Sequence, residues 1–129
     1  MRERLPDKRE SITHKLVLSR SKPGGKIDRL HFYINAGMFP DGRPGELFVT
    51  VNKGNETISG FCKVFSILVS LCLQSGVTME KLYEKLAFQS FEPSGFTENP
   101  EIHSCVSIVD YVMKFMKQQF CKEEGEGVK

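Results

Sequence analysis

At 129 residues the chain amounts to one domain, long enough for a self-sufficient core and too short for a multidomain enzyme. With 40% apolar and 26% charged residues and a formal charge of +2, the composition is that of an ordinary soluble domain without the overall basic excess of a nucleic-acid binder. The charge is uneven: residues 1–29 hold nine of the eighteen Lys and Arg against four acids, so this segment stands near +5 and the remainder near −3.

Residues 1–10 are charged and interrupted by Pro6, which predicts an extended arm. Arg2, Arg4, Arg9 and the nearby Lys15 could grip phosphate, but Glu3, Asp7 and Glu10 interleave with them and dilute the field. The segment therefore reads as a docking arm, with nucleic acid an improbable partner. No apolar stretch of signal-peptide type follows RERLPDKRE. Met1 directly before RERLP favours a separate reading frame.

SITHKLVLS then alternates as a strand, with Ile12, His14, Leu16 and Leu18 on one face and Thr13, Lys15 and Val17 on the other. RSKPGGK is a turn, LHFYINAG a second strand, MFPDGRPG a loop and ELFVTVN a third strand. Short Gly/Pro connections predict an antiparallel meander of about three strands. Arg43, set between turn residues in DGRPGE, could offer its guanidinium to a carboxylate or phosphate in fork geometry.

From Ile58 to Gln74 the period becomes helical. Lys63, Ser66 and Ser70 make one narrow polar face and the rest is apolar, which predicts a central buried helix. Gly76 ends it. Thr78 starts a short amphipathic helix, TMEKLYEKLAF, with Met79, Leu82, Tyr83 and Leu86 on one side. The FEPSGFTENPE segment is read as a loop. A last helix is predicted from about Ile102 to Phe120, with Val106, Val109, Met113, Met116 and Phe120 as its core stripe, followed by an acidic disordered tail over residues 121–129. The expected fold is α+β, a small antiparallel sheet of about three strands followed by a helical layer of two long helices and one short one, in a single domain over residues 11–120.

Little here suggests chemistry. The four cysteines form no C-x-x-C pair, and three of them fall in segments that read as helices. Free buried thiols, no metal site and a reducing cytoplasm are expected. His14, His31 and His103 are scattered and read as structural. Glu80 and Glu84 beside Lys81 and Lys85 form the ion-pair pattern of a solvated face. FCKVFSILVSLCL falls short of the ~20 residues a bilayer requires and contains Lys63, so no membrane span is expected.

VNKGNETISG runs from strand into helix, where free amides would welcome an anion. Gly60 is followed by Phe61 and Cys62, so the strict Walker A string is absent, and Gly54 and Gly60 do not fit G-x-G-x-x-G. If an anion or nucleotide site exists, it falls on Lys53, Gly54, Thr57, Ser59 and Gly60, with Arg43 reaching across. Otherwise Gly54 and Asn55 turn the chain, Thr57 caps the helix, and Gly60 lets a strand approach closely.

RERLPDKRESITHKL, DGRPGELFVTVNKGNETISGF, FEPSGFTENPEI and SIVDYV, in this order, resemble the C-terminal TSCPD domain of adenosylcobalamin-dependent (class II) ribonucleotide reductases. The resemblance covers Arg2 to about Phe120. The T-S-C-P-D string itself is absent, and its region reads ENPEIHSC. Such enzymes use a cobalamin-generated thiyl radical, cysteines in a large barrel and a mobile C-terminal cysteine pair. This chain lacks the barrel, and Cys121 stands alone after Phe120. The resemblance thus implies an accessory module that is not catalytic alone, binds no cofactor itself, and docks on a reductase catalytic chain or on another copy. The alternative is a small nucleotide-binding or nucleotide-signal-sequestering protein, which could come from a phage.

Overall fold

The computed structural model describes residues 2–52 and 56–121. Three long strands come first: β1 (Ser11–Ser21), β2 (Ile27–Met38) and β3 (Pro44–Val51). They are followed by α1 (Glu56–Gln74), α2 (Met79–Leu86), the short strands β4 (Gly95–Thr97) and β5 (Ser104–Cys105), and α3 (Ile108–Phe120). The α+β reading holds, but the sheet has five antiparallel strands in the order β3-β2-β1-β4-β5 rather than about three.

Period-two alternation sets the register of the meander. Leu16 pairs with Phe32 and Ile34 with Val49, so Leu16, Leu18, Phe32, Ile34, Leu47 and Val49 share one buried face. Thr13, Lys15, Phe48 and Thr50 stand exposed on the other. The first face carries the core, and burial of each large apolar side chain there contributes about 1.5–3 kcal/mol.

Strand β4 lies where a loop was expected, and β5 where the last helix was expected to begin. Gly95 pairs with Cys105, and Leu18 and Ser19 pair with Thr97 and Phe96. Gly95 has φ +153°, and a Cβ there would collide with the Ser19 carbonyl, so only glycine lets β4 come this close to β1. Strands of three and two residues are too short for a periodic signal.

The last helix starts at Ile108, not Ile102. Ser107 is its N-cap, extended at φ −170° and ψ 166°, and its hydroxyl accepts the Asp110 N–H at 3.0 Å. Val106 consequently precedes the helix and is exposed, not part of its stripe. Cys105 lies in a strand, and Cys121, assigned to the tail, is the buried C-cap of α3. The remainder of that tail, residues 122–129, is outside the described residues. The short helix forms as read, Thr78 capping it by accepting the Lys81 N–H at 3.1 Å.

Helix α1 departs most from expectation. Of its polar face, Ser66 is buried and Ser70 partly so while Lys63 is exposed, and Phe61, Val64, Ile67, Leu68 and Leu71 are 39–57% exposed. The reason lies in β3, whose outer edge has no strand neighbour and whose backbone groups need partners. The Val49 N–H donates to Ser66 Oγ and the Leu47 N–H to Ser70 Oγ, both at 2.8 Å. Ser70 Oγ donates back to the Leu47 carbonyl at 3.1 Å, and Gln74 Nε2 to the Gly45 carbonyl at 2.9 Å. Residues 66, 70 and 74 repeat every four positions and form one polar row along the strand edge.

Candidate functional site

An open groove of about 760 Å³ lies between β3 and α1. Leu47, Phe48, Val49 and Val51 form one wall, and Gly60, Ile67 and Leu71 the other. Arg2 and Lys63 are charged side chains at its margin. Two of its serines, Ser66 and Ser70, are already engaged with β3, so the groove offers chiefly apolar contact.

Next to the groove, α1 shows solvent an apolar stripe. Its four seam residues, Phe61, Val64, Leu68 and Leu71, are separated by steps of three, four and three. Phe61 stacks on Phe65 at 5.9 Å and meets the edge of Phe91 at 5.6 Å. By length and composition alone α1 could cross a membrane. Extracting it would, however, orphan the β3 amides now bonded to Ser66 and Ser70, and it carries Lys63.

The anion-site residues are not brought together. Thr57, Ser59 and Gly60 lie exposed in the first turns of α1; Lys53, Gly54 and Asn55 are outside the described residues. Arg43 is at the other end of the helix, in a depression shared with Leu73, Gly76 and Val77. At ~1.5 Å per residue, Ser59 and Leu73 are separated by about 21 Å along α1, so Arg43 does not reach across. The fork geometry expected of Arg43 is realised within the chain: Nε donates to Asp41 Oδ2 at 2.7 Å and Nη2 to the Glu3 carboxylate at 3.1 and 3.2 Å. The Arg43 backbone N–H and guanidinium together hold the Asp41 carboxyl below the usual carboxylate range.

Thr57 sits inside α1, which begins at Glu56, and so is not its N-cap. Gly60 has open space where a Cβ would be, so no strand approaches it. The arm residues do not form a patch either. Arg9 makes a bidentate pair with Glu46 at 2.6 and 3.0 Å, Arg2 lies at the groove, Arg4 is exposed, and Lys15 is on the open sheet face opposite Tyr33. The arm itself is fastened down, the Glu3 N–H donating to the Gln74 carbonyl at 2.7 Å and the Met38 N–H to the Glu10 carbonyl at 2.9 Å.

Two polar clusters escaped sequence reasoning because each joins residues distant in the chain, His14 to Tyr111 across 97 positions and Phe88 to Asp110 across 22. Asn99 Nδ2 donates to Tyr111 Oη at 2.9 Å, and Tyr111 in turn bonds His14 Nε2 at 2.7 Å. The tyrosine oxygen accepts from Asn99, and the tautomer of His14 sets whether the hydroxyl donates to Nε2 or accepts from it as well. Burial lowers the His14 pKa and raises that of Tyr111. Asp110, fully buried, accepts the Phe88 N–H at 2.7 Å, the Val106 N–H at 3.1 Å and Lys114 Nζ at 3.1 Å. Both clusters tie α3 to other elements.

No buried side-chain nitrogen or oxygen among the described residues lacks a partner. Nor do three His, Cys, Asp or Glu side chains there converge as a metal site. All four cysteines are free, three buried and Cys72 partly so. Burial pushes the Cys62 and Cys105 thiols up to about 11, away from nucleophilic use.

Sequence comparison matches the TSCPD domain over residues 8–120. The chain belongs to the TSCPD-domain family. This TSCPD domain is 38% identical over 115 residues to a vitamin B12-dependent ribonucleotide reductase of Rhodopirellula baltica, covering 89% of the chain and 10% of the relative. A similarly named reductase of Streptomyces avermitilis is 33% identical over 120 residues, covering 93% of the chain and 12% of the relative. One of Bradyrhizobium diazoefficiens is 36% identical over 114 residues, covering 88% and 8%. The TSCPD domain thus spans about a tenth of the length of these relatives, none of whose names supports the nucleotide-capture alternative. No solved structure matches it significantly.

Proposed function

We propose that this TSCPD domain is an accessory module of vitamin B12-dependent ribonucleotide reduction, which associates with a reductase catalytic body and makes or breaks no bonds itself. The observation that carries this reading is the apolar outer face of α1. Its five large side chains remain in solvent while the buried polar side chains are satisfied internally. An apolar face of this kind is the mark of a contact surface. The similar reductases carry this sequence as a small part of a much longer chain, which supplies a body for the face to rest on.

No step is routed through cobalamin. The groove between β3 and α1 is open and chiefly apolar, with Ser66 and Ser70 engaged with β3, a poor enclosure for so large and polar a group. Association in the cytoplasm suits the four free cysteines.

Sedimentation velocity tests the reading. The domain, mixed with a B12-dependent reductase from which the corresponding segment has been removed, should co-sediment with it, and Leu68→Asp should abolish the complex. Independent sedimentation of the two wild-type proteins would overturn the proposal.

A further inference from the structure

The outer face of α1 also specifies the kind of element that covers it. Phe61, Val64, Leu68 and Leu71 are separated by three, four and three residues, the a/d spacing of a heptad seam. These four are 39–57% exposed, and Ile67 flanks them at 50%. The opposite side of the helix, Cys62, Ser66, Val69 and Leu73, is buried against the sheet. A single helix thus has two working faces. The inner one is matched to a strand edge by polar groups at steps of four, and the outer one is apolar at alternating steps of three and four.

We infer that the partner element is an amphipathic α-helix of the reductase body, lying nearly along α1 with its own apolar residues between Phe61, Val64, Leu68 and Leu71. This rests on the docking reading above. A seam with this spacing stays aligned with a second helix at a crossing angle near 20°, whereas same-face residues of an extended segment lie about 6.7 Å apart and drift out of register with seam positions averaging about 5 Å. Between Glu56 and Gln74 the only further charge is Lys63, so the seam offers no charges to pair and calls for an apolar stripe. Gly60 flanks it and has open space above its Cα, which leaves room for a close helix crossing at that end.

A second copy of the domain would present the same stripe, but the long similar reductases favour the reductase body. A body joined in the same polypeptide meets the face at high effective concentration.

The test is an alanine scan of binding to the segment-deleted reductase, with circular dichroism confirming that each variant folds. Alanine at Phe61, Val64, Leu68 or Leu71 should weaken binding at least fivefold. Alanine at Lys63, Phe48 or Thr50, which line only the groove, should change it less than twofold. A photo-crosslinker at position 64 or 68 should label residues spaced three and four apart in one reductase segment. Losses confined to the groove residues, labels spaced by two, or concentration-dependent dimers of the domain formed through the same four residues would each overturn the inference while leaving association itself intact or redirected. Failure of the wild-type domain to bind at all would remove the docking reading and the inference together.

Discussion

Ser66 Oγ accepts the Val49 N–H at 2.8 Å and donates to the Cys62 carbonyl one turn back at 2.7 Å, so one buried hydroxyl joins a helix to the edge of a sheet. Ser66→Ala should leave the Val49 N–H buried without a partner and cost about 1–3 kcal/mol. Urea denaturation measures this. Ser70→Ala, at a less buried site, should cost less, and equal losses would show that burial does not set the penalty.

Asp110 holds two backbone amides and a lysine without any exposure to water. Asp110→Ala should cost about 3–5 kcal/mol, because Lys114 and both amides lose their acceptor together. Lys114→Ala leaves the carboxylate its two amide donors and should be milder. A comparison of denaturation midpoints decides the order.

His14 contributes a pH dependence whose sign follows from burial. Its folded pKa lies below the ordinary value of about 6.5, so below that pH the unfolded chain binds more protons than the folded one. This contribution is complete above pH ~6.5 and declines as pH falls towards the folded pKa. Melting temperatures from pH 7.5 to 5 should therefore drop more steeply for the wild type than for His14→Gln.

Thiol labelling should follow exposure. At pH 7.5 in native buffer Cys72, which is partly exposed, should react first among Cys62, Cys72 and Cys105. The Cys62 and Cys105 thiols, pushed up to about 11 by burial, should resist until the domain unfolds. Mass spectrometry of alkylated peptides reads the order, and early labelling of Cys62 would contradict the packing of α1.

Gly60→Ala should stabilise the isolated domain by about 0.5–1 kcal/mol, since the position is helical and a Cβ meets nothing. A lower melting temperature would show a contact at this position.

The long elements were legible because their periods are sustained. The β1 alternation of Ile12, His14, Leu16 and Leu18 gave the core face correctly, and Thr78 marked the start of α2. What α1 buries was not legible, because the direction of a helix depends on what it packs against. Lys63, Ser66 and Ser70 read as one narrow polar face, and only the strand edge beside it shows that the two serines serve β3. Strands β4 and β5 are held by Gly95 against Ser19, a contact across 76 positions that local sequence does not encode. The same holds for the candidate site. Arg43 was expected near Gly60, but the strand containing Leu47 and Val49 runs antiparallel to α1 and places Arg43 at the opposite end.

The row formed by Ser66, Ser70 and Gln74 also bears on how such a domain can be attached to other chains. An open strand edge invites pairing with any passing strand, in neighbouring copies or in a nascent chain. With the outward amides of Leu47 and Val49 capped by hydroxyls, β3 has little left to offer an incoming strand. The sheet is closed on that side by the helix whose other face remains free, which separates self-protection from recognition and lets the domain stay adhesive through side chains alone.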